Sequence, residues 1–221
     1  MGGRIPKFFM FCAGALGLGA CSTIAAQPPS ATDAPAAAPA AETAGTWRAT
    51  ATDRDRERVR NWYSSWTAAL ADARAKGFSG DVDREGVLLQ PAAALPNPHL
   101  PAGDYRCRTV KIGTQGRSTL AYVAYGWFDC RVASEQGLMS LTKLTGSQRP
   151  VGLIFPDSLN RQIFLGTLEL GDETMPLSYG TDRMRDMAGL VERIGDNRWR
   201  LVLPAPAYES LLDVIELVPA S

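Results

Sequence analysis

The chain has 221 residues with 23 basic and 23 acidic side chains, so no basic excess marks it as a nucleic-acid binder. Its 45 % apolar and 21 % charged content excludes a wholly disordered chain. With the N-terminal segments set aside, about 170 residues remain, ample for one domain with its own core and cramped for two.

Residues 1–20 read as an export signal. Arg4 and Lys7 form a basic start, Phe8 to Leu18 an apolar stretch too short to span a membrane permanently, and Leu18-Gly19-Ala20-Cys21 ends it. This ending resembles the bacterial lipobox, which implies a diacylglycerol on the Cys21 sulfur. An ordinary secretory signal cleaved at Ala25 or Ala26 is the alternative. Ser22 after the cysteine implies, by the same resemblance, a periplasm-facing outer-membrane anchor. Loss of Arg4 and Lys7 leaves the mature chain with a net charge near minus two.

Residues 21–46 are rich in Ala and Pro, with Pro28, Pro29, Pro35 and Pro39 breaking any helix, and are expected to be a flexible tether. Residues 47–102 are expected to be a helix and a Pro-rich segment packed on a sheet. The spacing predicts an amphipathic helix over Asp53 to Lys76, with Val59, Trp62, Tyr63, Trp66, Leu70 and Ala73 on one face. Thr52 and Asp55 suggest its cap and Gly77 its end. The aromatic stripe suits a core better than a sugar or lipid site. Asp81 to Gly86 is similar to the first half of a calcium loop, but its twelfth position is Ala92 where a bidentate carboxylate is needed, so no metal is expected. His99, the only histidine, falls between prolines in a loop.

From residue 103 to 221 the pattern has period two. Strand-like runs fall at 105–112, 120–132, 138–144, 151–155, 162–170, 187–194, 198–204 and 212–218, separated by turn residues such as Gly171-Asp172. In the second run, Leu120, Tyr122, Ala124, Phe128, Cys130 and Val132 are expected to share a face. Met184 to Leu190 is a possible short helix. The fold class expected is mainly β, an antiparallel barrel or sandwich of about eight strands with one N-terminal helix.

Cys107 and Cys130 are the pair left after Cys12 departs with the signal and Cys21 takes the lipid, and in an exported protein a disulfide is expected, with two free thiols as the alternative. A plain hairpin turning at Gly113 to Ser118 sets Cys107 opposite Ala124, six residues or about 20 Å from Cys130. Bridged α-carbons lie within about 7 Å. The bridge therefore requires an asymmetric loop, a bulge near Gly126, or a meeting of non-neighbouring elements.

No catalytic constellation emerges and no cofactor is implied. Ser140 and Lys143 have the spacing of penicillin-binding enzymes, but in a strand positions three apart face opposite ways. Asp182, Asp186 and Glu192 would serve a cell-wall glycoside hydrolase only as a pair facing one cleft. Arg106, Arg108, Arg149, Arg198 and Arg200 would select an anionic ligand if they pointed into a barrel, and otherwise are surface charge or partner contacts.

The segments GDYRCR (103–108), KLTGSQRPVG (143–152), FLGTLELG (164–171), GLVERIGDNRWRLVLP (189–204) and DVIELVP (213–219) resemble a proteobacterial family known as domain of unknown function 4893. That resemblance implies an envelope location and no activity. More loosely, Gly103-Asp104-Tyr105 opening a run of strands looks like lipocalin-type barrels or periplasmic inhibitors of secreted metalloproteases, although lipocalins usually carry Trp where Tyr105 stands. The expectation is a lipid-anchored envelope protein whose barrel binds a small ligand or another envelope protein without catalysis. A hydrolase and a purely structural spacer are the alternatives.

Overall fold

The computed structural model describes residues 46–116 and 118–220. The expected signal, Cys21 and the tether lie outside the described residues, apart from Thr46.

The chain begins with α1 (Trp47–Thr50), α2 (Asp53–Arg60), α3 (Trp62–Ala75) and α4 (Ser79–Arg84), then two 3₁₀ turns at Gly86–Leu89 and Pro91–Ala93. The single helix expected over Asp53 to Lys76 is thus two helices, broken at Asn61, where φ −94° and ψ 14° leave helical geometry. Its start and end follow the sequence signals. The Thr52 hydroxyl accepts the Asp55 backbone N–H at 3.2 Å. At the other end Gly77 adopts φ +94°, and the Phe78 and Gly77 amides donate back to the Ala73 and Arg74 carbonyls, a Schellman close. The buried stripe is Val59, Trp66, Ala69 and Ala73 with Trp62 beside it, whereas Tyr63 is 55 % exposed. Asp81 to Gly86 forms α4 and the next turn rather than a calcium loop: Asp83 pairs with Arg74 at 2.7 Å and Asp81 with Arg84. The described residues hold no cluster suited to a metal ion.

Nine strands follow: β1 (Gly103–Ile112), β2 (Tyr122–Ala124), β3 (Phe128–Glu135), β4 (Leu138–Lys143), β5 (Gln148–Pro156), β6 (Gln162–Leu170), β7 (Asp186–Gly195), β8 (Arg198–Pro204) and β9 (Leu212–Pro219). All pairings are antiparallel; β3 to β9 pair in succession, and β1 lies between β3 and β9. The sheet therefore closes into an eight-stranded barrel, with β2 as an extra strand beside β1. The stretch considered as a helix at Met184 to Leu190 enters β7.

The disulfide exists and the register explains it. Cys107 is opposite Phe128 and Cys130 is opposite Tyr105, so the bridge runs diagonally between neighbouring strands with Cα atoms 5.9 Å apart. The plain hairpin failed for two reasons. The connecting loop occupies 113–121, and between the pairs Val110–Ala124 and Cys107–Phe128 the second strand carries one residue more than β1. That bulge around Gly126 also reverses the faces. Tyr122 packs on the helix side, while Cys130 and Val132 point into the barrel, so the single face expected over 120–132 is two. Closing this loop contributes roughly 3 kcal/mol.

Alternation along the strands creates two cores. Tyr105, Cys107, Cys130, Leu141, Phe164, Val191, Leu201 and Leu217 fill the barrel. Val110, Ile112, Leu190, Val202, Leu212 and Val214 face outward and are covered by the helices. Inside, Gly152 faces Gly166 across the β5–β6 ladder, and a Cβ on either would come within 2.3 Å of a backbone carbonyl oxygen.

Between the helices and the outer wall sits Arg200, fully buried with Glu192. Its Nη2 and Nε lie 2.6 and 2.8 Å from Glu192 Oε2. Its Nη1 donates to the carbonyls of Val87, Leu88 and Gln90 at 3.1, 2.9 and 2.8 Å. The guanidinium lies 4.6 Å from the Trp66 ring centre. Arg200→Met leaves Glu192 with Arg161 alone and frees three backbone carbonyls, that of Leu88 buried, so it should cost about 3–5 kcal/mol in urea denaturation. Adding Glu192→Met should recover much of that loss, because no fully buried charge then remains, Arg161 being part-exposed.

Candidate functional site

The two ends of the barrel differ. At the end where β1 begins, Leu100 is buried in the barrel core, the Trp199 indole donates to the His99 carbonyl at 3.1 Å, and the Tyr105 hydroxyl donates to the Pro101 carbonyl at 2.8 Å. The Pro-rich segment therefore plugs this end. His99 takes part only through its backbone there and is itself exposed.

The opposite end is open. A cavity of about 260 Å³ lies there, with Phe128, Pro150, Leu168, Leu203 and Ile215 supplying an apolar wall and Thr109, Lys111, Lys143 and Asp213 the polar one. Tyr125, Met184 and Tyr208 stand partly exposed at its rim. Lys111 shares the inward side of β1 with Tyr105 and Cys107, and Asp213 the inward side of β9 with Ile215 and Leu217.

Lys111 Nζ lies 3.0 Å from Glu209 and 3.2 Å from Asp213, whose other oxygen accepts the Ser210 hydroxyl. Burial works against the Lys111 charge, but the two carboxylates outweigh it and hold the ammonium above the ordinary lysine value. Lys143, at the end of β4, differs. It is buried, and no carboxylate among the described residues lies within 4.0 Å of it. Its Nζ donates to the Gln148 carbonyl at 2.9 Å and lies 3.8 Å from the Phe128 ring centre. Burial first, and then the charges of Arg149 and Lys111, push its pKa down to about 8.

The five arginines singled out in the sequence lie on the outer face. Arg108 joins Glu85 at 2.5 Å and Glu216 at 2.5 Å, and Arg198 also reaches Glu216. Tyr122 donates to the same Glu85, at 2.6 Å. Arg149 pairs with Glu169 at 2.9 Å and donates to the Gly146, Leu170 and Glu173 carbonyls. Arg200 lies under the helices, and Arg106 lies 5.1 Å from the Trp127 ring centre. None lines the cavity, so the condition under which they would select an anion inside the barrel is not met. Their parity matches Val110 and Val202, which face the helices, rather than Cys107 and Leu201.

The three acidic residues also separate. Asp182 is half-buried beside Arg185, Asp186 is buried and accepts the Gly180 amide at 2.8 Å, and Glu192 is enclosed by Arg200 and Arg161. They do not face one cleft. Ser140 points outward, its hydroxyl 3.4 Å from the Ala133 carbonyl, while Lys143 faces the cavity, so the serine and lysine three apart do not meet.

Lys111, Asp213 and Arg58 were missed as site residues, and Lys143 was noticed only for its spacing from Ser140. A signal existed for two of them. Lys111 and Asp213 interrupt apolar faces of period two, which in a closed barrel demands mutual pairing.

These features define a small closed antiparallel β-barrel, covered by helices on its outside, plugged at one end and open at the other over a buried lysine. A protein-family scan matches residues 47–217 to "Domain of unknown function (DUF4893)", and the chain belongs to that family. No curated protein and no solved structure matches it, so the looser likeness to lipocalins and protease inhibitors has only barrel closure behind it.

The depressed Lys143 pKa has a stability consequence. Below pH 8 the lysine is charged in both states, and the fold carries the full cost of burying it. Between about pH 8 and 10.4 the unfolded chain binds the extra proton, so wild-type stability gains with rising pH over that window. Lys143→Met should therefore be more stable than wild type at pH 7, by roughly 1–2 kcal/mol after allowance for water in the mouth. Paired urea denaturations at pH 7 and 10.5 should show that advantage closing.

Proposed function

We propose that this protein is a lipid-anchored component of the bacterial envelope that holds a small ligand, without catalysis, in the open mouth of its barrel. The observation that carries the reading is the pairing of an apolar wall with a buried, carboxylate-free lysine at the single open end of a barrel otherwise filled with side chains. Small-molecule sites share this composition, apolar surface with a few placed polar groups. The volume, just under the range of drug-sized sites, suits a small compound.

The anchoring half rests on the Leu18-Gly19-Ala20-Cys21 ending and the Ala/Pro-rich stretch after it. A tether of some two dozen residues has a root-mean-square span of about 25–30 Å, which stands a domain clear of the lipid headgroups. Outer-membrane residence follows from Ser22 in the same reading.

Two measurements test the halves separately. Membrane fractions of cells making the Cys21→Ala chain should lose the protein, and retention there would overturn the anchor. For the mouth, thermal shifts of the full chain against a panel of small aliphatic and aromatic amphiphiles should find binders that raise the Tm. Leu168→Trp, which fills the cavity from β6, should abolish the rise. A panel with no binder, or a rise that survives Leu168→Trp, would sink the ligand reading.

A further inference from the structure

Four cationic side chains line the cavity: Arg58, Lys111, Lys143 and Arg185. Three of them have carboxylate partners. Arg58 lies 2.9 Å from Asp55, Lys111 is held by Glu209 and Asp213, and Arg185 pairs with Glu173. Lys143 is the exception among the described residues. An ammonium carries three donors, and the Gln148 carbonyl takes one of them. The Phe128 face offsets part of the charge without satisfying a donor. The turn after β4 closes over the amine on one side. A Cβ at Gly146 would lie 2.9 Å from Nζ, and Gly146 holds φ +91°, a conformation that favours glycine. The remaining donors are left to the cavity that Lys143 lines.

The rest of the mouth restricts what answers that charge. Phe128, Pro150, Leu168, Leu203 and Ile215 offer nothing polar to a ligand body from their side chains. At about 260 Å³ the cavity takes on the order of ten non-hydrogen atoms, taking a water's share of liquid volume as ~30 Å³. Glu209 and Asp213, already committed to Lys111, would repel a second negative charge. Arg58 keeps a further buried donor, Nη2, without a partner.

We infer that the mouth takes a small aliphatic monocarboxylate, with its chain against the apolar wall and its carboxylate on Lys143 Nζ. The inference rests on the ligand reading above and names the class of compound that reading leaves open. A neutral head forfeits the charge-assisted hydrogen bond, a cationic head meets Lys143 and Lys111, and a dianion meets Glu209 and Asp213.

Octanoate, 1-octanol and octylamine, each titrated calorimetrically into the full chain at pH 7, provide the test. Octanoate should bind about ten- to a hundredfold more tightly than 1-octanol, as expected for a hydrogen bond to a charged group, and octylamine more weakly than both. In Lys143→Met the preference should vanish, with octanoate and 1-octanol binding alike. Because the readout is a ratio within one variant, 1-octanol binding also reports that the mouth is still formed. Equal affinities for octanoate and 1-octanol in the wild type, tighter binding of octylamine, or a preference that survives Lys143→Met would overturn the carboxylate assignment while leaving a ligand-binding mouth. Binding of none of the three would overturn the assignment together with the reading beneath it.

Discussion

The structure turns on one guanidinium that meets no water. Arg200 projects outward from β8, where the barrel wall would ordinarily face solvent, and is covered by Trp66 of α3 and by the turn at Gly86–Leu89. Burying an arginine is costly, and here the cost is offset by Glu192 on the neighbouring strand together with three main-chain carbonyls. Those carbonyls lie in or just after the 3₁₀ turn at Gly86–Leu89, and the ends of such turns are otherwise rich in unpaired backbone acceptors. One side chain thus answers a carboxylate on the sheet and the loose ends of the cover. Arg161 extends the arrangement by bonding the other Glu192 oxygen at 2.5 Å while lying 4.1 Å from the Trp62 ring centre.

That cover explains why the strands differ in composition. β7 and β8 are buried on both faces, one in the barrel and one under the helices, and therefore read as nearly continuous apolar runs such as Leu201-Val202-Leu203. β3 is buried on a single face, and its outward positions, such as Asp129 and Arg131, are exposed. A second ionic group, Glu85 with Arg108, Tyr122 and Glu216, fastens the end of α4 to β1, β2 and β9. Hydrogen bonds from Arg108 and Tyr122 outweigh burial and keep the Glu85 carboxyl below the ordinary glutamate value.

The strands were legible because period two and turn chemistry are local. Eight runs were expected, and the boundaries at 162–170 and 198–204 coincide with β6 and β8. What was not legible depended on which face is inside. In strands buried on both sides, alternation alone cannot say whether Arg200 or Leu201 points into the barrel. The deciding facts, the helical cover and the bulge around Gly126, are tertiary. The extra residue, together with the shifted loop at 113–121, brought Cys130 beside Cys107, and by itself put Tyr122 on the opposite side from Cys130. On α3, Trp66 and Ala73 could be read from helical spacing, whereas the buried Ala69 was not on the expected face and Tyr63 falls just beyond the edge of a stripe that the width of the cover decides.

The candidate site was the least legible part, because Lys143 acquires its character from a distance. In sequence it neighbours a serine it never meets. In the barrel it is joined by Phe128 from β3, by Gln148 and Arg149 from β5 and by Lys111 from β1, and burial with the charges of Arg149 and Lys111 lowers its pKa. An ion pair between Lys111 and Asp213 answers the same burial a few strands away, so the fold has a ready means of neutralising an inward lysine. Folding alone favours replacing Lys143 by an apolar side chain, since a buried ammonium without a carboxylate lowers stability at neutral pH. A group that opposes folding and lines the open end of the barrel is not explained by packing, and the proposed binding role rests on it.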